Sequence, residues 1–515
     1  MFFCKIQILW LYRDILHYMY HSTFSSFDSA SSPVQEPPLS AAAVKALFGG
    51  CADFETRRVS FSLSGVALTL CWIDGLVSAD AVSESVLRPL TEAVRSLGSG
   101  GEQACYERAL LGGVYRCSVS ERESLSDVSD DLTHGCCCLL FDALGAALSF
   151  ELRSPMGRAV SEPTLEKSLK GAKDSFVEAL RVNTALVRRR ICSPQLKTAE
   201  SSLGRRSRTK VALLYIEGVA NPETVEELAR RLDGLDVDAV PALGILEEAI
   251  ADAPLSPLPQ VLHTERPDRF AMHLLDGRVG LLVDGLPVGL LLPATLAEFL
   301  RVTGDSGMHF AVATVLGALR ALALVLALLL PAVFTAIVMY HQEMLPTLLL
   351  LSIIEAEQHV PFSTPLEILA MLGAFSLLQE AGLRLPNPIG DTVSIIGALI
   401  VGQAAVEAKL VSPISIIVVA VSGIACYTLP SQDLAFAVRL GRLALLAGAM
   451  CCGLIGVSAV LAALLLHLCD LDCFGVNYSA PLSEGERRRA LLRWPKRWNK
   501  FRDPQLKTPD RRRQT

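Results

Sequence analysis

Ala321 to Met339 reads ALALVLALLLPAVFTAIVM, an uncharged run long enough to cross the hydrocarbon core of a bilayer as a helix. Further apolar runs follow it to Leu468, whereas the first three hundred residues carry ordinary charge. This one-sided distribution sets the architecture. Half of the 515 residues are hydrophobic (51%) and the mean hydropathy is +0.41, which suits a membrane protein with a large soluble front end.

In the soluble part, strand-like runs alternate with helix-like ones. VALTLCWIDG at Val66 and VALLYIEG at Val211 share V-A-L, a gap and I-[D/E]-G. CCCLLFDALGAALSFEL from Cys136 and VGLLVDGLPVGLLLP from Val279 both read as strand, acidic turn, strand. The expected fold class is therefore an α/β soluble N-terminal region of two related subdomains, followed by an α-helical polytopic membrane domain.

The expected boundaries are 1–44 for a divergent extension, 45–155 for the first subdomain and 156–204 for a connecting helix with a basic linker. The second subdomain takes 205–305, the membrane domain 306–475 and a basic tail 476–515. In NPETVEELARRLDGL, Asn221 is placed to cap, Pro222 to occupy the first helical turn and Glu223 to complement the helix dipole. Arg188, Arg189 and Arg190 end the connecting helix, where cations are favourable. Asp74, Glu217 and Asp284 each precede a glycine, a position for local turn bonds.

The tail from Arg487 is strongly basic and holds Trp494 and Trp498. That pattern suits anionic lipid headgroups better than nucleic acid, and places the tail on the cytoplasmic side. Cysteine spacing matches neither zinc binding nor a disulfide framework, so the cysteines read as small buried hydrophobes in a reducing compartment. The first forty residues interrupt their apolar stretch with Arg13 and Asp14, unlike a signal peptide; they read as an interfacial helix or as the product of an upstream start codon.

Enzyme signatures are absent: no phosphate-binding glycine loop, no G-x-S-x-G, no H-E-x-x-H and no clustered histidines. No cofactor, metal or catalytic residue is expected.

In the apolar half, four to six crossings are expected, an even number if soluble region and tail share one side. Pro331 interrupts the first of them. Arg320, Arg439 and Arg442 are expected at span edges, where long cations snorkel. LPNPIGDTVSIIGALIVGQAAVEAKLVSP, from Leu385 to Pro413, combines small residues with ionisable ones. Gly397 and Gly402 suit close helix packing. Gln403 and Glu407 are candidates for a pore or gate, because polar groups at membrane depth must face protein or water. Pro388, Gly390 and Pro331 are candidate hinges.

SFVEALRVNTALVRRRICSPQLK, GRRSRTKVALLYIEGVANPETVEELARRLD, SPLPQVLHTERPDR, LLDGRVGLLVDG, LLLPAVFTAIVMYHQEMLPTLLLLSI and the Leu385–Pro413 stretch together resemble the A subunit of GerA-type spore germinant receptors. The likeness runs from about Ala43 to Leu482. It implies an integral, multi-pass protein of the spore inner membrane, with soluble domain and C-terminus on the core side. It also implies a transporter-like B subunit that senses nutrient, a lipoprotein C subunit, and an A-subunit homo-oligomer acting as a gated monovalent-cation channel. The stage V sporulation protein AF type resembles the same subunit, and a non-conducting scaffold is a further alternative. Lys170-Gly171-Ala172 departs from the family's Arg-Gly-Pro at that place.

Overall fold

The computed structural model describes residues 37–61, 66–95, 101–114, 118–153, 163, 166, 171–358, 360–384, 402–480 and 500–513. Residues 1–36 of the N-terminal extension, the basic stretch 481–499 with both tryptophans, and 385–401 with Pro388, Gly390 and Gly397 lie outside them.

The soluble region holds two five-stranded sheets. The first comprises β1 (Phe54–Phe61), β2 (Val66–Ile73), β3 (Val119–Arg122), β4 (Cys136–Phe141) and β5 (Ala146–Glu151), in the order β1-β2-β4-β5-β3. The second comprises β6 (Leu196–Leu203), β7 (Thr209–Ile216), β8 (Leu262–Thr264), β9 (Val279–Val283) and β10 (Gly289–Leu292), in the order β6-β7-β9-β10-β8. The two orders are the same permutation, and every strand pairing within them is antiparallel. The V-A-L repeat falls on β2 and β7; the strand-turn-strand repeat falls on β4–β5 and β9–β10. The α/β region is thus two copies of one topology.

Both faces of each sheet are covered, which is why the central strands read as near-continuous apolar runs. In the second sheet Ala212, Leu214 and Leu282 join one core, while Val211, Leu213, Leu281 and Val283 join another on the opposite face. The first of these cores continues without a break into Ala323, Ala327, Cys426, Leu429 and Leu434 of the helical region. The second subdomain therefore sits directly on the helices.

Helix α1 (Ala41–Leu47) is capped by Ser40 and buries Val44 against the first sheet. Helix α2 (Leu125–Thr133) covers the same face through Val128 and Leu132. Helix α3 (Leu180–Arg188) joins the two subdomains: Ala185 packs in the first, Leu186 and Val187 in the second. Its first N–H is satisfied by Asp284 Oδ1 at 3.0 Å. Asp74 meets Arg181 at 3.1 Å and Glu217 meets Lys197 at 3.3 Å. The three acidic turn residues thus hold distant elements rather than only their own turns.

Arg188 lies in the last turn of α3, as expected. It is 1% exposed and pairs with Asp53, also 1% exposed, through bonds of 2.6 and 2.8 Å. A guanidinium enclosed between two subdomains needs such a fork-to-carboxylate partner, and no local sequence pattern reports one 135 residues away.

Helix α4 (Pro222–Asp233) starts as expected, with Asn221 accepting from Glu223 N and proline in the first turn. Helices α5 (Leu243–Ile250) and α6 (Pro267–Leu275) complete the second subdomain. The helical region then holds α7 (Phe310–Tyr340), α8 (Thr347–Glu357), α9 (Thr364–Arg384), α10 (Pro413–Tyr427) and α11 (Gln432–Asp470). By length and hydropathy, α7 and α11 are each long and apolar enough to cross a membrane, and α10 is a shorter apolar helix.

The helix α11 is not straight. Cys452 and Gly453 leave helical geometry, Gly453 at φ +60°, a conformation that glycine adopts without penalty. Beyond the break the chain folds back. A Cβ on Gly456 would lie 1.9 Å from the carbonyl oxygen of Gly448, whereas residues eight apart in a straight helix are separated by about 12 Å along the axis. Farther from the break, Gly441 lies beside Leu464. The long apolar run is therefore a hairpin of two antiparallel arms, with its turn at Cys452–Gly453. A short ribbon of β11 (Asp472–Cys473) and β12 (Val476–Asn477) then packs Cys473 and Phe474 on the second sheet. The segment 500–513 returns to the same subdomain: Arg502 donates to the Leu275 carbonyl and Arg513 pairs with Asp276.

Candidate functional site

Pro331 lies inside α7 and has no N–H, so the carbonyl of Ala327, four residues earlier, lacks its helical donor. Ser422 of α10 supplies one: its hydroxyl donates to Ala327 O at 3.0 Å. Arg442 of α11 in turn donates from Nη1 to Ser422 Oγ at 3.1 Å. Ala327 and Ser422 are fully enclosed, and Arg442 is 4% exposed. One proline thereby ties three helices together through side chains, and the buried carbonyl it frees is not left unpaired.

Around this node the packing is close because residues are small. Ala332, Ala336 and Ala449 form one buried contact, and a Cβ at Gly423 would strike the Phe375 ring of α9. Thr335 returns its hydroxyl to the Pro331 carbonyl at 2.8 Å.

Arg442 was expected to snorkel at a span edge. It points inward instead, and among the described residues its Nε has no hydrogen-bond partner. Arg439 lies over the Phe436 ring at 5.0 Å, and Arg320 pairs with Asp305 at 2.6 Å. Charge count along the helix cannot reveal this difference, because the partner that draws Arg442 inward is a serine on another helix.

Among the sequence-derived candidates, Gly402, Gln403 and Glu407 lie in the helical residues 402–407 before α10. Gln403 Nε2 donates to Glu407 Oε1 at 3.2 Å, and both side chains are exposed. Among the described residues nothing lies within 4 Å of a Cβ built at Gly402. This stretch leads into Ser412, which caps α10 and whose backbone N–H is held by buried Glu367 of α9. Pro331 lies in α7, a different element. Pro388, Gly390 and Gly397 fall outside those residues.

A second polar cluster joins the soluble region to the hairpin. His263 on edge strand β8 lies 2.6 Å from Glu247 of α5 and 3.2 Å from Asp433 in the first turn of α11. Burial alone would lower the imidazole pKa, but the hydrogen bond with Asp433 and the charges of Asp433 and Glu247 outweigh it and lift it to about 9. At the other foot of the hairpin, His467 Nε2 meets Ser256 Oγ at 2.8 Å. Both feet thus rest on the stretch between α5 and β8. Sequence reasoning missed this cluster and the serine–arginine node. The proline signalled an orphan carbonyl four residues earlier, but nothing local marked which residue would answer it.

Among the described residues no group of histidines, cysteines and acids could hold a metal ion. Nearby, Glu298 is enclosed with Arg278 and Arg301; burial opposes its charge, yet these cations hold its carboxyl below the usual range. Burial and the adjacent Arg278 keep His273 neutral.

Comparison with known proteins gives a consistent result. The membrane protein YfkQ of Bacillus subtilis is 36% identical over 442 residues, covering 85% of this chain and 84% of the relative. Spore germination protein B1 of Bacillus subtilis is 34% identical over 439 residues, covering 85% of this chain and 90% of the relative. Spore germination protein GerLA of Bacillus cereus is 33% identical over 462 residues, covering 89% and 93% respectively. Among solved structures, the N-terminal domain of the A subunit of the Bacillus megaterium spore germinant receptor GerK3 is similar at 30% identity with a TM-score of 0.40, over 50% of this chain and 93% of that one. The family model described as Bacillus/Clostridium GerA spore germination protein matches residues 42–505, and the chain belongs to that family.

Proposed function

We propose that this chain is the A subunit of a nutrient germinant receptor in the spore inner membrane. It crosses the membrane several times, forms a homo-oligomer and opens as a monovalent-cation channel when a partner subunit senses nutrient. Its partners are a transporter-like B subunit and a lipoprotein C subunit. The membrane-side observation that carries the reading is the buried node of Pro331, Ser422 and Arg442. Fully enclosed hydrogen bonds between three apolar helices are costly to leave unmade in lipid and mark a built junction.

Two further features support it. The soluble region, both feet of the hairpin and the 500–513 segment lie together, which favours an even number of crossings between them. The soluble region and the C-terminus are then on the core side. Exposed Gln403 and Glu407 would become rings of acceptors in a closed oligomer, as cation-selective pores use.

The test is potassium flux from proteoliposomes holding this chain with its genomic B and C partners, with and without nutrient. Nutrient-dependent flux is expected. Glu407→Gln should change cation selectivity, Gln403→Ala should lower conductance, and Ser422→Ala should shift the open fraction by about tenfold, since it strands a buried carbonyl worth ~1–3 kcal/mol. Absence of flux under every condition sinks the channel reading and leaves the scaffold. Flux indifferent to Glu407 and Gln403 moves the pore elsewhere.

A further inference from the structure

We propose that His263, held between Glu247 and Asp433, is a charged latch through which movement of the second α/β subdomain is passed to the membrane hairpin. This rests on the reading just given, in which the hairpin lies in the membrane.

The argument begins with position. β8 is an edge strand, paired only with β10. Successive residues on a strand face opposite ways. Thr264 accordingly bonds Glu166 at 2.7 Å, and Arg269 of α6 also pairs with Glu166, a residue of the segment between the subdomains. Its neighbour His263 faces the first turn of α11. Three residues of chain thus receive the linker on one side and the hairpin on the other. Ser256 and His467 brace the second arm from the same stretch, so both arms follow it.

The chemistry then selects the imidazolium. A neutral ring has one N–H and turns a lone pair toward one of the two carboxylates; the charged ring donates from Nδ1 to Asp433 and sets its positive charge 2.6 Å from Glu247, where the Nε2 contact is an ion pair without hydrogen-bond alignment. Among the described residues the charged groups that act on His263 are Glu247 from α5 and Asp433 from α11. Because the folded-state pKa, about 9, is above the ordinary 6.5, the contribution of this group is fully present below about pH 6.5. It is lost as pH rises through about 9. At neutral pH the latch is closed, and only displacement of one carboxylate opens it. A cation without titration at this place would keep it closed throughout.

The test is amide hydrogen exchange of Leu434 to Phe436 in the full chain in nanodiscs, at pH 7 and pH 10. Wild type, His263→Arg and His263→Gln are compared at each pH, so that the intrinsic exchange rate cancels. At pH 7 wild type should match His263→Arg, with His263→Gln roughly tenfold faster. At pH 10 wild type should match His263→Gln. Three indistinguishable proteins at both values overturn the latch, and so does wild type matching His263→Arg at pH 10. Should His263→Gln not fold, Asp433→Asn replaces it with the same expectation. No flux is read, so failure of the channel reading leaves this result interpretable, and failure here leaves the flux test untouched.

Discussion

Gly456→Leu is expected to force the two arms of α11 apart and to abolish nutrient-dependent flux. A side chain at this position meets the backbone carbonyl of Gly448, with its oxygen 1.9 Å from the added Cβ, and a carbonyl in a helix cannot rotate aside. Gly448 is constrained in return by Gly456 O at 2.8 Å and by Val460. Separating the arms would also expose Ala332, Ala336, Leu445 and Ala449, the shared contact with α7. Overpacking in a closed interior costs ~1–3 kcal/mol where atoms can shift and more where they cannot. The measurement is the melting temperature of the detergent-solubilised protein beside flux; Gly402→Ala is the control. Among the described residues nothing lies within 4 Å of a Cβ at Gly402, so its substitution should leave the melting temperature within about 1 °C. Equal behaviour of the two variants would remove the hairpin contact from the account.

Asp53→Ala should destabilise the soluble region by ~3–5 kcal/mol, the second large effect. Asp53 supplies two bonds to the Arg188 fork; without them the guanidinium keeps, among the described residues, a 3.4 Å contact with Thr198 and the neighbouring Cys51. The loss is not that of one ion pair in water. It is the cost of leaving a guanidinium enclosed between the subdomains without its counter-charge. The double variant Asp53→Leu with Arg188→Met should recover most of the stability, since exchanging a buried pair for apolar residues of similar volume is often close to neutral. Thermal unfolding of the full chain reads this as a downward shift of roughly 10 °C for the single variant. A shift under about 2 °C would mean that solvent reaches Arg188 once Asp53 is gone.

These cases show where sequence reasoning carried and where it stopped. The two sheets were legible because strands covered on both faces must be apolar almost throughout, and duplication repeated that signal in β2 and β7 and again in β4–β5 and β9–β10. The cap of α4 was legible because Asn221 and Pro222 act within one turn. The hairpin in α11 was not, since its turn is made by Cys451, Cys452 and Gly453, residues as apolar and small as those of the arms. Hydropathy averages over such a turn. The pairing of Arg188, the inward place of Arg442 and the His263 cluster were missed for a common reason: each residue is positioned by a partner more than a turn away or on another element, at Asp53, Ser422 and Asp433. Gln403 and Glu407 stood out as polar groups in an apolar run, and their hydrogen bond follows from helical i, i+4 spacing.

All of this depends on one architectural claim: the apolar run 432–470 crosses and returns, leaving its two feet on the side of the soluble region. The chain carries its own reporters, because Cys192 in the soluble region, Cys451 and Cys452 at the turn, and Cys469 at the second foot are exposed. The decisive measurement is modification of these thiols by a membrane-impermeant maleimide in sealed, oriented vesicles, read by peptide mass. Cys192 and Cys469 should react from one face, and Cys451 and Cys452 should be protected from that face until the vesicles are opened. Reaction of Cys469 and Cys192 from opposite faces would leave an odd number of crossings between them and contradict the account.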